Sequence, residues 1–175
     1  MESLSTGLLQ LVIVIFLLTM PSSNGNKFHC PVTADIREFE KYFETLEEIL
    51  HEKDLITDVS LLKTSELKQI QPSERCCFLL RLGKFYITNV FPEVESILNQ
   101  QHQDVTHLAN SILGVNKSLE ECHNSLRCPC GAQSHAVMKK FKDDYFKMET
   151  EAAAIKAIGE LNLLFHWMEN HYLSL

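Results

Sequence analysis

The sequence lacks the residue patterns of the common catalytic sites. It contains no Gly-x-Ser-x-Gly, no His-Glu-x-x-His and no glycine-rich phosphate loop, which mark serine hydrolases, zinc peptidases and nucleotide-binding enzymes. Carboxylates crowd into residues 38–48, but an open acidic face offers no pocket that would raise a carboxyl pKa for acid catalysis. We therefore expect no enzymatic activity and no cofactor.

An excess of basic charge is also missing. The chain has 16 lysines and arginines against 23 aspartates and glutamates, for a net charge of −7. This balance argues against nucleic acid or an anionic membrane as a partner.

Long apolar runs are scarce. The clearest is Leu8–Met20, which is too short to span a bilayer comfortably. The small residues Ser23 and Gly25 follow it, so residues 1–25 are expected to be a secretory signal peptide and residues 26–175 a single domain. An uncleaved anchor is the alternative, since the segment before the apolar run has no Lys or Arg. Because Glu2 is the one charged residue removed, the mature chain would carry a net charge of −6. We expect it to be secreted and extracellular, without membrane insertion.

No stretch alternates apolar and polar residues as a strand does, and no repeat is present. Apolar residues recur with helical spacing over residues 34–53, 104–122, 136–148 and 151–173. The pattern predicts an all-α fold, a compact helical bundle of about six helices in which four are long.

Residues 74–91 have the most continuous apolar surface. Arg81, Lys84 and Thr88 form one narrow polar strip on this predicted helix, and a helix that is apolar nearly all round is a buried one. Pro92 is expected to end it, because proline interrupts helical hydrogen bonding.

Six cysteines follow the predicted signal peptide, at Cys30, Cys76, Cys77, Cys122, Cys128 and Cys130. An even number in a secreted chain predicts three disulfides, although sequence alone does not choose among the possible connectivities. The adjacent cysteines 76 and 77 point about 100° apart on a helix and must reach separate partners. A zinc site of Cys128, Cys130, His123 and His135 is the alternative, but zinc favours Cys-x2–4-Cys spacing and reduced thiols.

Five groups of residues carry a resemblance to a known family. They are Cys76-Cys77 with Cys128-Pro129-Cys130, Phe85-Tyr86 with Val90-Phe91, Leu108-Ala109-Asn110-Ser111, the run 153–161, and Trp167-Met168. Together they resemble the helical cytokines of the interleukin-10 family, and above all its branch of interleukin-19, interleukin-20 and interleukin-24. The resemblance implies the interleukin-10 type of bundle and the bridges Cys30–Cys122, Cys76–Cys128 and Cys77–Cys130.

The resemblance also implies a function. A member of this family would bind and bridge two class II cytokine receptor chains, here a heterodimer of the interleukin-20 receptor type, and trigger Janus kinase–STAT signalling. Two alternatives stay open: a non-signalling antagonist or decoy that occupies one receptor chain, and a secreted metal- or lipid-binding helical protein.

In this family one receptor site is built from the first helix, the following loop and the last helix. Carried over to this chain, the candidate contacts are Glu40, Glu47, His51, Asp54, Lys156, Asn162, Leu163, His166 and Glu169. The acidic face of the first helix has the alternative interpretation of solvated surface. Ile155 and Leu163 are apolar residues in a polar sector, so each is either covered or offered to a partner; for Ile155 we expect the covered position. The loop 54–72 is apolar, Leu55 included, and is expected to pack along the bundle.

Two further expectations concern the surface. Asn116 begins a glycosylation sequon beside the apolar stripe of its helix, and Gly83 stands where the family has a larger apolar residue. The short link before the helix at 136–148 is held by cysteines, so we expect a monomer, although interleukin-10 itself is an intertwined dimer.

Overall fold

A computed structural model describes residues 36–170, and within this range the chain forms six α-helical segments, two short 3-10 turns (Pro72–Glu74 and Asn99–Gln101) and no strand. The segments are α1 (Ile36–Lys53), α2 (Thr64–Leu67), α3 (Arg75–Phe85, Tyr86–Val90 and Phe91–Ile97 in succession), α4 (His102–Leu126), α5 (Ala132–Tyr145) and α6 (Thr150–Gly159 followed by Leu161–Met168). The all-α prediction is confirmed. The expected signal peptide lies outside the described residues.

The central helix α3 packs against α4, α5 and α6, while α1 packs against α4 and α6. Leu82, Phe85 and Tyr86 of α3 are buried, whereas the strip of Arg81, Lys84 and Thr88 is exposed as its pattern predicts. Within residues 36–170, no helix combines the length and the apolarity needed to cross a bilayer.

Pro92 does not end the central helix, contrary to the prediction. Residues Tyr86–Val90 form a wider turn in which the Phe91 N–H donates to the carbonyl of Tyr86, five residues back. A proline lacks an N–H and its ring collides with the carbonyl four residues earlier in a regular helix. The wider turn shifts this register, so that Pro92 falls in the first turn of Phe91–Ile97 and the helix continues.

Two disulfides join the start of α3 to the link between α4 and α5. Cys76 pairs with Cys128 and Cys77 with Cys130, with Cα–Cα distances of 5.8 and 5.3 Å. Both agree with the pairing implied by the resemblance. The expected Cys30–Cys122 bridge stays a prediction, because Cys30 lies outside the described residues.

The same link is also shaped by backbone contacts. Arg127 adopts a left-handed conformation (φ 51°) that ends α4. Glu74, just before the bridged cysteines, accepts a hydrogen bond from the Ser134 N–H at 2.7 Å and so caps α5 from another segment. A side chain at Gly131 would overlap the Glu74 carboxylate and would displace it from its hydrogen bond with the Ser134 N–H.

The starts of α4 and α6 differ in how they are formed. Helix α4 begins at His102, two residues before the start that the apolar spacing predicts, and Asp104 lies within its first turn. Helix α6 is capped by Glu149, whose carboxylate accepts from the Ala152 N–H at 3.1 Å. It is interrupted at Glu160, near the place where the buried Tyr86 hydroxyl donates to the Ala157 carbonyl at 2.9 Å.

Candidate functional site

The loop after α1 is fastened to α6 by a lysine. Lys156 Nζ lies 2.9 Å from an Asp54 carboxylate oxygen and donates to the Ile56 carbonyl at 2.6 Å. Lys156 is only 9% exposed. A buried ammonium is tolerated when a charge and hydrogen-bond acceptors surround it, so the loop and the lysine stabilise each other.

Glu160 fastens the other end of the same loop. Its two carboxylate oxygens accept from the backbone N–H groups of Leu61 and Leu62 at 3.2 and 2.6 Å, and one lies 4.0 Å from Lys156 Nζ. Burial raises the pKa of Glu160, although the hydrogen bond from Leu62 and the charge of Lys156 act to lower it. Lys156 and Glu160, four residues apart on α6, thus fix the course of residues 54–62; we call these two residues the loop clamp.

A groove of about 280 Å³ lies beside the loop clamp. Its walls come from α1, the start of the loop and α6: Phe43, Glu47, Leu50, His51, Asp54, Lys156, Gly159 and Glu160. The structure therefore brings together four of the sequence-predicted contact residues, namely Glu47, His51, Asp54 and Lys156.

The other predicted contact residues are not among those lining the groove. Glu40, Asn162, His166 and Glu169 are exposed on α1 and on the end of α6. The His166 ring and the Glu169 carboxylate are 3.9 Å apart. Leu163 is half-buried and packs against the hydrophobic core. Ile155 is buried in the core, as expected.

Sequence reasoning missed two features of this surface. Leu55 was expected to pack along the bundle, but it is 87% exposed, because the loop clamp holds Asp54 and Ile56 inward on either side of it. Leu61 and Leu62 of the same loop are buried. The apolar content of the loop therefore does not show which of its leucines are buried and which are exposed. Glu160 was missed because its partners are backbone groups about one hundred residues away, which no local pattern reveals.

The predicted glycosylation site lies between helices. Asn116 on α4 is half-buried, its Oδ1 accepts no hydrogen bond from the described residues, and a Cβ added at Gly83 would lie 2.8 Å from that oxygen. The asparagine thus occupies the space left by the glycine. Use of the sequon stays a prediction.

The zinc alternative is wrong. Cys128 and Cys130 are both in disulfides, so neither sulfur is a thiolate that could bind zinc. The His135 ring instead contacts Arg81, at 2.9 Å.

Comparison with known proteins settles the family. The model of the family described as Interleukin 10 matches residues 11–174 of this chain. The chain belongs to the interleukin-10 family. As a cytokine of that family it is not an enzyme, and interleukins of this family are secreted proteins.

Individual relatives of this interleukin-10-family chain cover most of its length. It is 33% identical to interleukin-20 of Mus musculus over 158 residues, which are 88% of this chain and 90% of that protein. It is 31% identical to interleukin-19 of Mus musculus, over 83% of this chain and 82% of that protein. The crystal structure of human interleukin-19 superposes with a TM-score of 0.75 at 27% identity, covering 86% of this chain and 97% of that one.

Proposed function

We propose that this chain is a secreted cytokine that binds and bridges the two chains of a class II cytokine receptor of the interleukin-20 receptor type and triggers Janus kinase–STAT signalling. The similarity to interleukin-20 and interleukin-19 over most of both lengths supports this receptor class. The observation that carries the proposal is an exposed leucine held beside an acidic groove: Leu55 is 87% exposed next to the loop clamp.

This arrangement suits an apolar anchor at the centre of an interface. A leucine that a fixed loop projects into solvent can be buried by a partner with little loss of conformational entropy. Interfaces commonly place such an apolar anchor at the centre and charged groups at the rim. The exposed carboxylates of Glu40 and Glu47 would form an acidic rim, which matches a basic surface on the receptor.

The proposed roles differ among the candidate residues. Exposed side chains would contact the receptor directly: Glu40, Glu47, His51, Asn162, His166 and Glu169. Asp54 and Lys156 would act through the loop, since their charged atoms are paired with each other. Leu163, half-buried, would extend the apolar centre toward the end of α6.

Surface plasmon resonance against a panel of class II receptor ectodomains tests the receptor proposal. Leu55→Asp should speed dissociation at least about tenfold, because it removes the desolvated centre. Glu40→Lys with Glu47→Lys should slow association and weaken its salt dependence, because rim charges mainly steer encounter. Asp54→Lys is unsuitable as a test of receptor contact, because it would place a second cation against Lys156 and disturb the loop itself.

A matched control is Phe146→Asp, which changes another exposed apolar residue (65% exposed) outside the groove. Thermal melts should show that all variants fold. If Leu55→Asp and Phe146→Asp bind every receptor chain as the parent does, the proposed interface is wrong.

Signalling and secretion need their own measurements. Phosphorylation of STAT proteins in cells bearing both receptor chains should follow addition of the protein; receptor binding without phosphorylation would favour the antagonist alternative.

Secretion from cells expressing residues 1–175 should yield a chain that begins near Asn26. Alkylation of that chain without reductant should leave its mass unchanged if Cys30 and Cys122 are bridged, and glycosidase treatment should lower its mass if Asn116 carries a glycan.

A further inference from the structure

A second groove, of about 490 Å³, lies between α3 and α5. Its α3 wall carries Arg81 and Lys84, and its α5 wall carries His135, Lys139 and Lys142. No acidic residue is among the described residues that line it. In a chain of net charge −7, this is a local concentration of positive charge, and it shares no residue with the groove beside the loop clamp.

The cations of this groove are available to a ligand. Within residues 36–170, Arg81, Lys84 and Lys142 form no ion pair with a carboxylate. Lys139 is paired with Asp143, one turn along α5, at an exposed position, and exposed pairs of this kind exchange partners at little cost. The groove therefore presents at least three uncompensated charges.

The groove is also shaped by its own contacts. Arg81 lies 2.9 Å from the His135 Nδ1, and a guanidinium can only donate, so this ring nitrogen must be the acceptor. The contact holds the guanidinium across the gap between the two helices. Lys142 Nζ lies 5.5 Å from the centre of the Phe85 ring, and the base of the groove is closed by the buried side chains of Phe85 and Met138.

The spacing of the charges indicates the size of the ligand. Residues 135 to 142 span about 10 Å along the axis of α5, and Arg81 and Lys84 face this span from α3. A single phosphate or carboxylate would satisfy only one end of the groove. An extended chain with repeated anionic groups would contact both walls.

We propose that the groove between α3 and α5 binds a sulfated polysaccharide of the extracellular matrix. The sulfates would pair with Arg81, Lys84 and Lys142. A secreted family member meets such chains outside the cell, and the groove shares no residue with the receptor surface proposed above.

The test measures binding of the mature protein to immobilised heparin at several salt concentrations. Lys84→Gln with Lys142→Gln should lower the affinity at least about tenfold. It should also reduce the magnitude of the slope of log K against log salt by about two. Each contact between a cation of the protein and an anion of the ligand releases about one counterion, and this double variant lacks two such contacts. The matched control is Lys68→Gln with Lys117→Gln, two exposed lysines outside the groove, which makes the same change in net charge and should keep the parent's affinity and slope.

Further variants and probes make the result decisive. Lys84→Arg with Lys142→Arg keeps both charges and should keep the binding. Amide shifts of the parent protein on addition of a heparin oligosaccharide should concentrate in residues 81–89 and 135–142, which tests the site without any substitution. The proposal is overturned if the two glutamine pairs weaken binding equally or if desulfated heparin binds as well. It is also overturned if vesicles of phosphatidylcholine and phosphatidylserine in equal parts bind more tightly than heparin.

Discussion

Lys156 stabilises the fold through groups that are far away in the chain. Its ammonium binds the Asp54 carboxylate and the Ile56 carbonyl, about one hundred residues earlier, in a largely buried position. Lys156→Met should therefore lower the free energy of unfolding by about 2 kcal/mol, since it leaves a half-buried carboxylate and a carbonyl without their donor. Urea unfolding measures this loss, and hydrogen exchange at the Leu61 and Leu62 amides should show the loop opening more often.

The control for this substitution is Lys140→Met. Lys140 pairs with Glu66 and Asp144, but its side chain is 43% exposed, and an exposed pair contributes less than about 1 kcal/mol. Equal losses for the two variants would contradict the special role of Lys156.

Glu160 gives the loop clamp a dependence on pH. Burial raises the pKa of Glu160 in the folded chain, so the folded state holds its proton to a higher pH than the unfolded state does. The contribution of Glu160 to stability is then greatest in acid and falls as the pH rises through and beyond the ordinary glutamate pKa of about 4.3. Relative to Glu160→Gln, the parent should lose stability as the pH rises above about 4.3, the ordinary glutamate pKa.

Asp144 provides a comparison of opposite sign. Hydrogen bonds from Lys140 and Lys147 lower the pKa of Asp144, so its contribution is present above the ordinary aspartate pKa and is lost as the pH falls. Relative to Asp144→Asn, the parent should gain stability as the pH rises. Urea unfolding of the three proteins across the pH series measures both trends, and parallel profiles for all three would refute this account of Glu160.

At the scale of elements, two parallel disulfides hold the link between α4 and α5 on α3. Their sequence separations are 52 and 53 residues, so either bridge alone closes nearly the same loop. Replacing Cys76 and Cys128 by alanine should cost much less than removing both bridges. Removing both, by also replacing Cys77 and Cys130, should cost about 4 kcal/mol in the loop-entropy model.

The measurement is urea unfolding of both single-bridge variants and of the variant without either bridge. The losses should be strongly non-additive, with most of the loss appearing only when the second bridge is removed. Two equal and additive losses would show that each bridge acts through local packing instead.

The elements also show what the sequence could and could not predict. Helical periodicity located the helices and the exposed strip of α3, because burial of an apolar face is a local property of the pattern. The prediction that Pro92 ends the helix was wrong, because the wider turn before it removes the clash that a proline normally causes. That turn is held by tertiary contacts, such as the hydrogen bond from the Tyr145 hydroxyl to the Asn89 carbonyl.

The same limit applies to the candidate site. Glu47, His51, Asp54 and Lys156 could be named from the resemblance and were found around one groove. Leu55 and Glu160 could not, because the exposure of one and the burial of the other follow from where the loop is fastened. Contacts between distant backbone and side-chain groups leave no periodic trace in a sequence.

At the scale of the whole molecule, charge is segregated rather than mixed. Acidic side chains dominate the exposed face of α1, while the groove between α3 and α5 is lined by cations and no described acid. The negative net charge of the chain therefore understates how different its faces are. The two partners proposed above, a basic receptor surface and an anionic polysaccharide, would therefore bind to different faces of the domain.

The structure also bears on whether two copies could exchange their last helices. Such an exchange would need a hinge between α4 and α5, but residues 128 and 130 are bridged to α3 and Ser134 is bound to Glu74. No free length remains in which the chain could turn toward a partner. The core side chains of α5 and α6, including Phe141, Ile158 and Phe165, are already buried within the one chain.

We therefore predict a monomer at micromolar concentration, measured as the molar mass of one chain by light scattering. The variant without Cys76, Cys77, Cys128 and Cys130 removes the covalent part of this restraint. When refolded at high concentration it should yield some exchanged dimer, because a released hinge lets α5 and α6 pack on a second copy. A bridged protein that keeps a two-chain mass on dilution would show that the hinge lies elsewhere, the segment between α5 and α6 being the next candidate.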